Sequence, residues 1–299
     1  MLNNNVQSLS YKDLITFKLK GYFDLLKFRL SLLVTFSSAF GYVLGHTGAW
    51  VWGDFLMFCF GGFLISGASV TINQILEKDL DKLMSRTQNR PLPTERVSKD
   101  EAIFYTIILT IIGYFILWNY TNPLTTGLSL LSMVLYSFVY TPLKRVGPIA
   151  VFVGAIPGAL PPLLGWVAAT GQITHEALII FGIQFIWQFP HFWAIAWVAD
   201  DDYKRAGFKL LPSSGKKDLN TAIQIMIYTL FLIPLGLLPA KFGITGIDSA
   251  IVVSVCGVLF LGQTFHLMKT GTRKSALRIM FGSFLYLPIV QIAYLLDKV

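Results

Sequence analysis

Charge is scarce in this sequence. Only 13% of the 299 residues are Asp, Glu, Lys or Arg, whereas 54% are hydrophobic and the mean hydropathy is +0.62. That is about half the charged share of an ordinary soluble domain. A single soluble core and a disordered chain are both excluded, because neither goes with so little charge over such long apolar stretches. Cysteine is nearly absent too. Cys59 and Cys256 both lie within apolar runs, so neither a disulfide framework nor a cysteine-built metal site is available. No Ser/His/Asp or Cys/His grouping suited to nucleophilic catalysis is visible. What remains is an all-α, polytopic membrane protein.

The uncharged runs supply the architecture. Stretches of about 20 apolar residues, the length that crosses a bilayer, lie near 30–49, 55–76, 102–119, 123–142, 148–168, 177–199, 220–240, 249–268 and 279–296. The charge-free stretch from Ala102 to Leu143 is too long for one span. Asn119-Tyr120-Thr121-Asn122-Pro123 divides it with a turn. Backbone groups left unpaired in hydrocarbon cost several kcal/mol each, so the runs must be helices. The expected fold is a bundle of nine transmembrane helices around a central cavity. A cytoplasmic N-terminal segment, 1–29, precedes a single domain, 30–299, with catalytic cytoplasmic loops near 77–101 and 200–218. Pro157-Gly158 and Pro161-Pro162 are expected to kink or break the fifth span.

The basic residues orient the bundle. If loops alternate sides, 22 of the 24 Lys and Arg fall on one side, leaving only Lys241 and Lys298 opposite. Positive charge stays inside, so the N terminus is expected in the cytoplasm and the C terminus outside. Trp50, Trp52, Trp118, Tyr120 and Trp166 gather at the non-basic ends, as an interfacial belt would. The net charge of +8 is thus a topology signal and an attraction for anionic membrane lipids, not a nucleic-acid footprint. The first 28 residues show neither a cleavable signal nor a transit-peptide pattern. That points to a bacterial plasma (inner) membrane.

Polar groups concentrate at the basic side. Asn73, Glu77 and Asp81 are spaced four apart, one oxygen-bearing stripe on a continuing helix. Hard Mg²⁺ takes one or two carboxylates plus phosphate oxygens. Arg86 and Arg90, again four apart, carry planar forks suited to phosphate or carboxylate. Metal-binding acids followed by anion-binding arginines suggest a metal-bound diphosphate. Tyr136, Tyr140 and Lys144 end the fourth span at the same spacing, either to support a leaving group or to anchor the span at the interface. Gln184, Gln188 and His191 share one helix face within about 60°, lining a cavity or bonding a neighbouring helix. Asp200-Asp201-Asp202 forms a second metal station or a hydrated helix end. Lys27 and Arg29 flank Phe28 as snorkelling anchors or phosphate contacts. His46, His175 and His266 sit in no cluster.

Acids and arginines above an oily bundle fit a prenyl diphosphate, whose head wants metal and whose tail wants hydrocarbon. Metal and arginine make the diphosphate a better leaving group, and an electron-rich acceptor then attacks the allylic cation. A metal-dependent prenyl transfer follows from the chemistry alone; the acceptor does not.

A resemblance narrows it. The run from Asn73 through Glu77 and Asp81 to Arg86-Thr87-Gln88-Asn89-Arg90-Pro91-Leu92-Pro93 resembles the first signature of the UbiA-type intramembrane prenyltransferases, and in particular their heme-farnesylating branch. Tyr140-Thr141-Pro142-Leu143-Lys144-Arg145, the glycine- and proline-rich run Gly154 to Pro162, and Trp187-Gln188-Phe189-Pro190-His191-Phe192 point the same way. Together they span about residues 22 to 215. The resemblance implies farnesyl transfer from farnesyl diphosphate to the 2-vinyl group of heme b, with water added, to give heme O for heme-copper oxidases. Heme A synthase or oxidase assembly factors are the implied partners, and Mg²⁺ is the implied cofactor. It further implies that Asn73, Glu77 and Asp81 hold the metal and diphosphate, that Arg86 and Arg90 contact diphosphate or heme propionates, that Tyr140 and Lys144 sit on the diphosphate side, and that His191, with Gln188 beside it in the substrate pocket, handles heme. Two features depart from the family: Glu77 stands where Asp is common, and the second DxxxD pattern is replaced by the compact Asp200–Asp202 cluster, whose Asp201 and Asp202 are the candidate second-site ligands. A transporter or a heme carrier are the rival classes, separated from the enzyme by flux or by binding without turnover.

Overall fold

The structure, a computed structural model, describes residues 11–213 and 215–299. The first ten positions of the expected N-terminal segment lie outside the described residues. Ten long helices follow in order: α1 (Tyr11–Leu25), α2 (Phe28–Gly45), α3 (Trp52–Leu76), α4 (Lys99–Tyr120), α5 (Pro123–Leu143), α6 (Ile149–Thr170), α7 (His175–Val198), α8 (Leu219–Lys241), α9 (Ile247–Thr270) and α10 (Arg273–Leu296). Among the described residues, α2 to α10 are the nine helices long and apolar enough to cross a membrane. They match the nine expected runs, with ends shifted by a few residues.

Local chemistry sets where the helices start. Ser98 and Glu101 form a reciprocal capping box at α4, satisfying amide groups that the first turn leaves without partners. Asn122 accepts from Thr125 N at 2.9 Å, with Pro123 next in line; Thr174, Asp218 and Thr272 cap α7, α8 and α10 in the same way. Helix α1 is packed onto the bundle. Gln74 Nε2 donates to Leu25 O at 2.8 Å, and Leu25 is buried with Leu92, Val97 and Ala102. Ion pairs Asp24–Arg96 and Lys18–Glu101, each 2.8 Å, tie α1 to the first basic-side loop.

Helices α2, α3, α5, α6, α7 and α10 enclose a cavity of about 380 Å³, with Leu117 of α4 at its far end. Helices α8 and α9 pack outside, against α7 and α10, and contribute nothing to its wall. The nine spans are therefore arranged unequally around the hollow. At the α2–α6 contact the backbones meet: a Cβ on Gly165 would lie 1.8 Å from Ser38 O, and one on Gly41 1.9 Å from Pro162 O. Only glycine permits that approach. Trp166, expected in the interfacial belt, is instead buried against Gly45 at this seam, while Trp52 and Trp118 are exposed as expected.

The prolines do not break α6, which runs unbroken from Ile149 to Thr170. Pro162 has no N–H for the carbonyl of Gly158. That carbonyl instead accepts from both Gln184 Nε2 and Gln188 Nε2, each at 2.8 Å. Neighbouring side chains re-satisfy a carbonyl that proline frees, as a helix in lipid requires.

Candidate active site

The cavity has a polar end and an apolar shaft. At the polar end the first loop does not continue α3 as one helix. Helix α3 stops at Leu76, and a separate turn, Lys78–Asp81, follows Glu77. The carbonyl ladder nevertheless carries through, with Glu77 N on Asn73 O at 3.0 Å and Asp81 N on Glu77 O at 2.7 Å. Asn73, Glu77 and Asp81 therefore still face one hollow, and all three are buried there.

Each acid has a cation. Lys144 Nζ lies 2.9 Å from Glu77 Oε1, and Arg90 donates to both oxygens of Asp81, at 2.9 and 2.7 Å. Asp81 is wholly buried, and a carboxylate survives there only when paired. Lys27 and Arg86 also line this end, so two carboxylates face four basic side chains and the basic groups are in excess. Burial, then the neighbouring charges of Arg90 and Lys144, pull the Lys27 ammonium down to about 7. The backbone of Lys27 is left-handed at φ 44°, a strained conformation of the kind that clusters at functional sites. Arg29, next but one, is exposed and does not reach the cavity.

Thr141 aims Asn73. Its Oγ1 donates to Tyr136 O at 2.9 Å and accepts from Asn73 Nδ2 at 3.0 Å. The amide nitrogen is thereby fixed, which leaves the carboxamide oxygen of Asn73 for a ligand. This arrangement depends on an irregular α5. Pro142 cannot bond to Phe138 O, and residues Leu135–Tyr140 widen into a π-turn, so the steps of four expected for Tyr136, Tyr140 and Lys144 do not hold strictly. All three still line the cavity. Lys144 Nζ sits 4.7 Å from the Tyr140 ring centre. An aromatic row continues inward, Tyr140 to Phe192 at 6.3 Å and Phe192 to His191 at 5.5 Å.

Among the described residues, no three of His, Cys, Asp or Glu gather closely enough to hold a metal by themselves. Two carboxylates and a carboxamide oxygen still fit a hard cation that completes its shell with phosphate oxygens. The second loop adds nothing to this donor set. Asp201 has an 89% exposed side chain, with Lys217 at 3.7 Å. Asp202 is engaged elsewhere: its carboxylate accepts from Ser85 N, Ser85 Oγ and Arg86 N, and pairs with Arg205. Asp200 is buried between Lys204 and Lys217. The three-carboxylate cluster resolves into two ion-paired groups and one solvated group. Asp202 clasps the first loop just where Arg86 begins.

The shaft is mostly apolar. At about 1.5 Å per residue along α3, the stretch of cavity wall from Phe58 to Asn73 covers about 22 Å. Gln184 and Gln188 line it, yet their amide nitrogens are spent on Gly158 O. Gln184 Oε1 is held as well, by Ser37 Oγ at 2.9 Å and Gln291 Nε2 at 3.0 Å. These glutamines hold helices together across the wall. Pro162, four residues past Gly158, was the sequence signal for that role. His191 is clamped: its ring stacks on Trp187 at 4.4 Å, meets Phe284 edge-on at 5.1 Å, and its Nδ1 lies 2.9 Å from Ser283 Oγ. No sequence motif marks Ser283, because it reaches His191 from ninety-two residues away. Tyr203 and Phe208, from the second loop, complete the polar end.

Comparisons with known proteins bear on this arrangement. The model of the UbiA prenyltransferase family matches residues 33–287. The protoheme IX farnesyltransferase of Cytophaga hutchinsonii is 52% identical over 280 residues, covering 94% of this chain and 98% of the relative. A solved digeranylgeranylglyceryl phosphate synthase superposes with a TM-score of 0.77 at 20% identity, over 94% of this chain and 98% of the other. A UbiA homologue from Archaeoglobus fulgidus bound to DMAPP and Mg²⁺ gives 0.64 at 16% identity, over 91% and 98%. At such identities the solved structures speak for the fold alone.

Proposed function

The chain belongs to the UbiA prenyltransferase family, and from that premise we propose that it transfers the farnesyl group of farnesyl diphosphate to the 2-vinyl group of heme b. Water adds in the same reaction, and the products are heme O and diphosphate. One observation carries the reading: a single hollow joins a cation-rich polar end holding Asn73, Glu77 and Asp81 to a long apolar shaft. The relative in Cytophaga hutchinsonii, named as a protoheme IX farnesyltransferase, supports heme b as the acceptor.

Asn73, Glu77 and Asp81 would hold Mg²⁺, which when bound neutralises charge on the diphosphate leaving group. Lys144, Arg90, Arg86 and Lys27 hold the diphosphate oxygens and take up negative charge as the allylic C–O bond breaks. Lys144 and Arg90 are already paired to Glu77 and Asp81, so substrate entry shares these cations between acid and phosphate. Tyr136, Tyr140 and Phe192 line the hollow between its two ends, where aromatic rings attract a positively charged allylic group and exclude premature water. Attack by the vinyl group forms the carbon–carbon bond. Water then captures the resulting cation, and one proton leaves to solvent.

The excess of Lys and Arg on the polar side supports a cytoplasmic N terminus and an outward C terminus, and the relative in Cytophaga hutchinsonii supports a bacterial inner membrane. Heme O leaves for a heme-copper oxidase or for heme A synthase. The experiment is direct: membranes containing the protein, given heme b, farnesyl diphosphate and Mg²⁺, should form a heme heavier by one hydroxyethylfarnesyl-type addition. Asn73→Ala and Asp81→Ala should each abolish that product while the protein still inserts. Product formation undiminished in both would remove these residues from the site.

A further inference from the structure

The hollow is deeper on one side than on the other. Helix α2 lines it only from Lys27 to Ser38, whereas α3 presents a wall residue at every turn from Asn73 down to Phe58, and α5 at every turn from Tyr140 down to Thr125. Helices α3 and α5 run side by side, with Asn73 Nδ2 3.0 Å from Thr141 Oγ1 and Ser137 Oγ 3.5 Å from Ser69 O. Two helices this close leave between them a groove for a chain, not for a flat ring system. The hydroxyls of Ser69 and Ser129 on its walls are spent on their own helices, donating to Ile65 O and Thr126 O at 2.8 Å each. Neither needs a polar partner from an occupant.

The floor of the groove is rigid. Phe58 and Leu117, both buried, close the deep end together with Thr125. The Phe58 ring stacks on Tyr42 at 5.5 Å, and Tyr42 is itself held by Phe55 at 5.3 Å and Trp50 at 5.8 Å. Asn122 Oδ1 fixes Thr125 through its amide at 2.9 Å and its hydroxyl at 3.1 Å. One turn above Phe58 stand two consecutive glycines with different surroundings. A Cβ on Gly61 would lie 3.1 Å from both Ile116 and Leu117, so Gly61 serves the α3–α4 contact. A Cβ on Gly62 would meet no described atom within 4 Å, although Gly62 lines the hollow. Glycine weakens a helix relative to alanine, and no packing contact requires it at Gly62. What the missing side chain leaves is room in the groove.

Length decides what that room is for. An extended farnesyl chain has twelve carbons in line, about 14 Å at single bonds of about 1.5 Å. Asn73 and Phe58 stand about 22 Å apart along α3, which leaves about 8 Å for the diphosphate and the side chains at the two ends. Each further isoprenoid unit adds about 5 Å, close to the rise of one helical turn. A donor one unit longer runs into Phe58, and one unit shorter stops near Gly62. We propose that Phe58, with Leu117 beside it, is the stop that sets the chain length of the prenyl donor, and that Gly62 keeps the place of its terminal isoprenoid unit open. This rests on the transferase reading for the identity of the donor, and on the depth of the groove for its length.

The test uses the full-length protein in nanodiscs with heme b and Mg²⁺, given geranyl, farnesyl or geranylgeranyl diphosphate, with products identified by mass. The wild type should prefer farnesyl diphosphate. Gly62→Val fills the groove one turn above the stop. It should cut kcat/KM for farnesyl diphosphate about tenfold or more, the scale for a misfit of one or two methylene groups, and keep that for geranyl diphosphate. Phe58→Ala should raise kcat/KM for geranylgeranyl relative to farnesyl diphosphate by about tenfold or more. Should Phe58→Ala fail to insert, Phe58→Leu replaces it, with a smaller shift in the same direction. Non-hydrolysable thiolodiphosphates of the three lengths, titrated without heme, should bind in the same rank order. A wild type indifferent to donor length overturns the proposal. Unchanged preference in Gly62→Val, or activity lost equally with all three donors, overturns the placement of the tail. Unchanged preference in Phe58→Ala, or in Phe58→Leu if it stands in, overturns the stop. If the wild type forms no prenylated heme, yet the thiolodiphosphates rank by length and Gly62→Val shifts the rank, the transferase reading falls and the stop stands. Farnesylated heme with a rank indifferent to both positions gives the reverse.

Discussion

Glu77 and Lys144 illustrate how a buried charge can serve both stability and chemistry. Both are nearly sealed from solvent, at 4% and 8% exposure, and each is the other's partner. Removing one member of such a pair strands the other and costs about 3–5 kcal/mol, whereas removing both can be nearly neutral. Lys144→Met is therefore expected to lower the thermal midpoint of the purified protein and to cut farnesyl transfer by about 10²–10³-fold, the scale for losing one preorganised charge-stabilising group. The double variant Glu77→Gln/Lys144→Met should recover most of the lost stability and none of the activity. Calorimetry and turnover on the same preparations check both halves. Activity returning together with stability would mean that the pair is only structural. The Asp81–Arg90 pair follows the same logic, with the guanidinium touching both carboxylate oxygens.

At the scale of the element, the irregular helices are the informative ones. In α6, Pro162 frees a carbonyl that two glutamines from α7 then share, so proline in one helix specifies glutamine in the next. In α5, Pro142 forces the wide π-turn that frames Tyr136 and Tyr140 and sets Thr141 against Asn73. Such turns inside α-helices are frequent at functional sites. Replacing Pro142 with Ala should let α5 become regular and rotate its aromatic face away from the cavity. The expected result is about a tenfold loss of transfer rate without a fall in thermal midpoint, because a helix interior tolerates Ala better than Pro by about 3 kcal/mol. A rate equal to the wild type would show that the π-turn does not matter.

Over the whole molecule, two loops far apart in sequence close the polar end. Asp202 receives Ser85 and Arg86 from the first loop and Arg205 from its own. Partial burial pushes its carboxyl up, but donation from Ser85, Arg205 and Arg86 outweighs this and holds it below the ordinary value. A carboxyl lowered on folding stabilises at pH above its unfolded value, about 3.9, and loses that contribution as the pH falls through the lowered one. Limited proteolysis of the loop near 77–101 should therefore be constant from pH 8 to 5 and accelerate only below about pH 4. In Asp202→Asn it should be fast throughout, with the KM for farnesyl diphosphate raised several-fold and turnover changed less. Equal protection of the variant and the wild type would remove the clasp.

Some of this was fixed along the chain and some was not. The nine spans, their shared sidedness and the gathering of acids and arginines on one face follow from hydropathy and charge, since a bilayer penalises each residue by its own polarity and depth. That Asn73, Glu77, Asp81, Arg90, Tyr140, Lys144 and His191 line one hollow was legible for the same reason: a polar group beside an apolar run is costly and calls for a role. Which carboxylate meets which cation was not legible, and neither was the diversion of Asp201 and Asp202 away from the hollow, the exposure of Arg29, the use of Gln184 and Gln188 as helix ties, or the hold of Ser283 on His191. Those depend on distances between side chains that are tens to hundreds of residues apart, and no local pattern encodes a distance across a bundle. Close approach of glycine backbones and irregular turns at proline set those distances. Packing therefore selected the site from the polar residues that the sequence had made available.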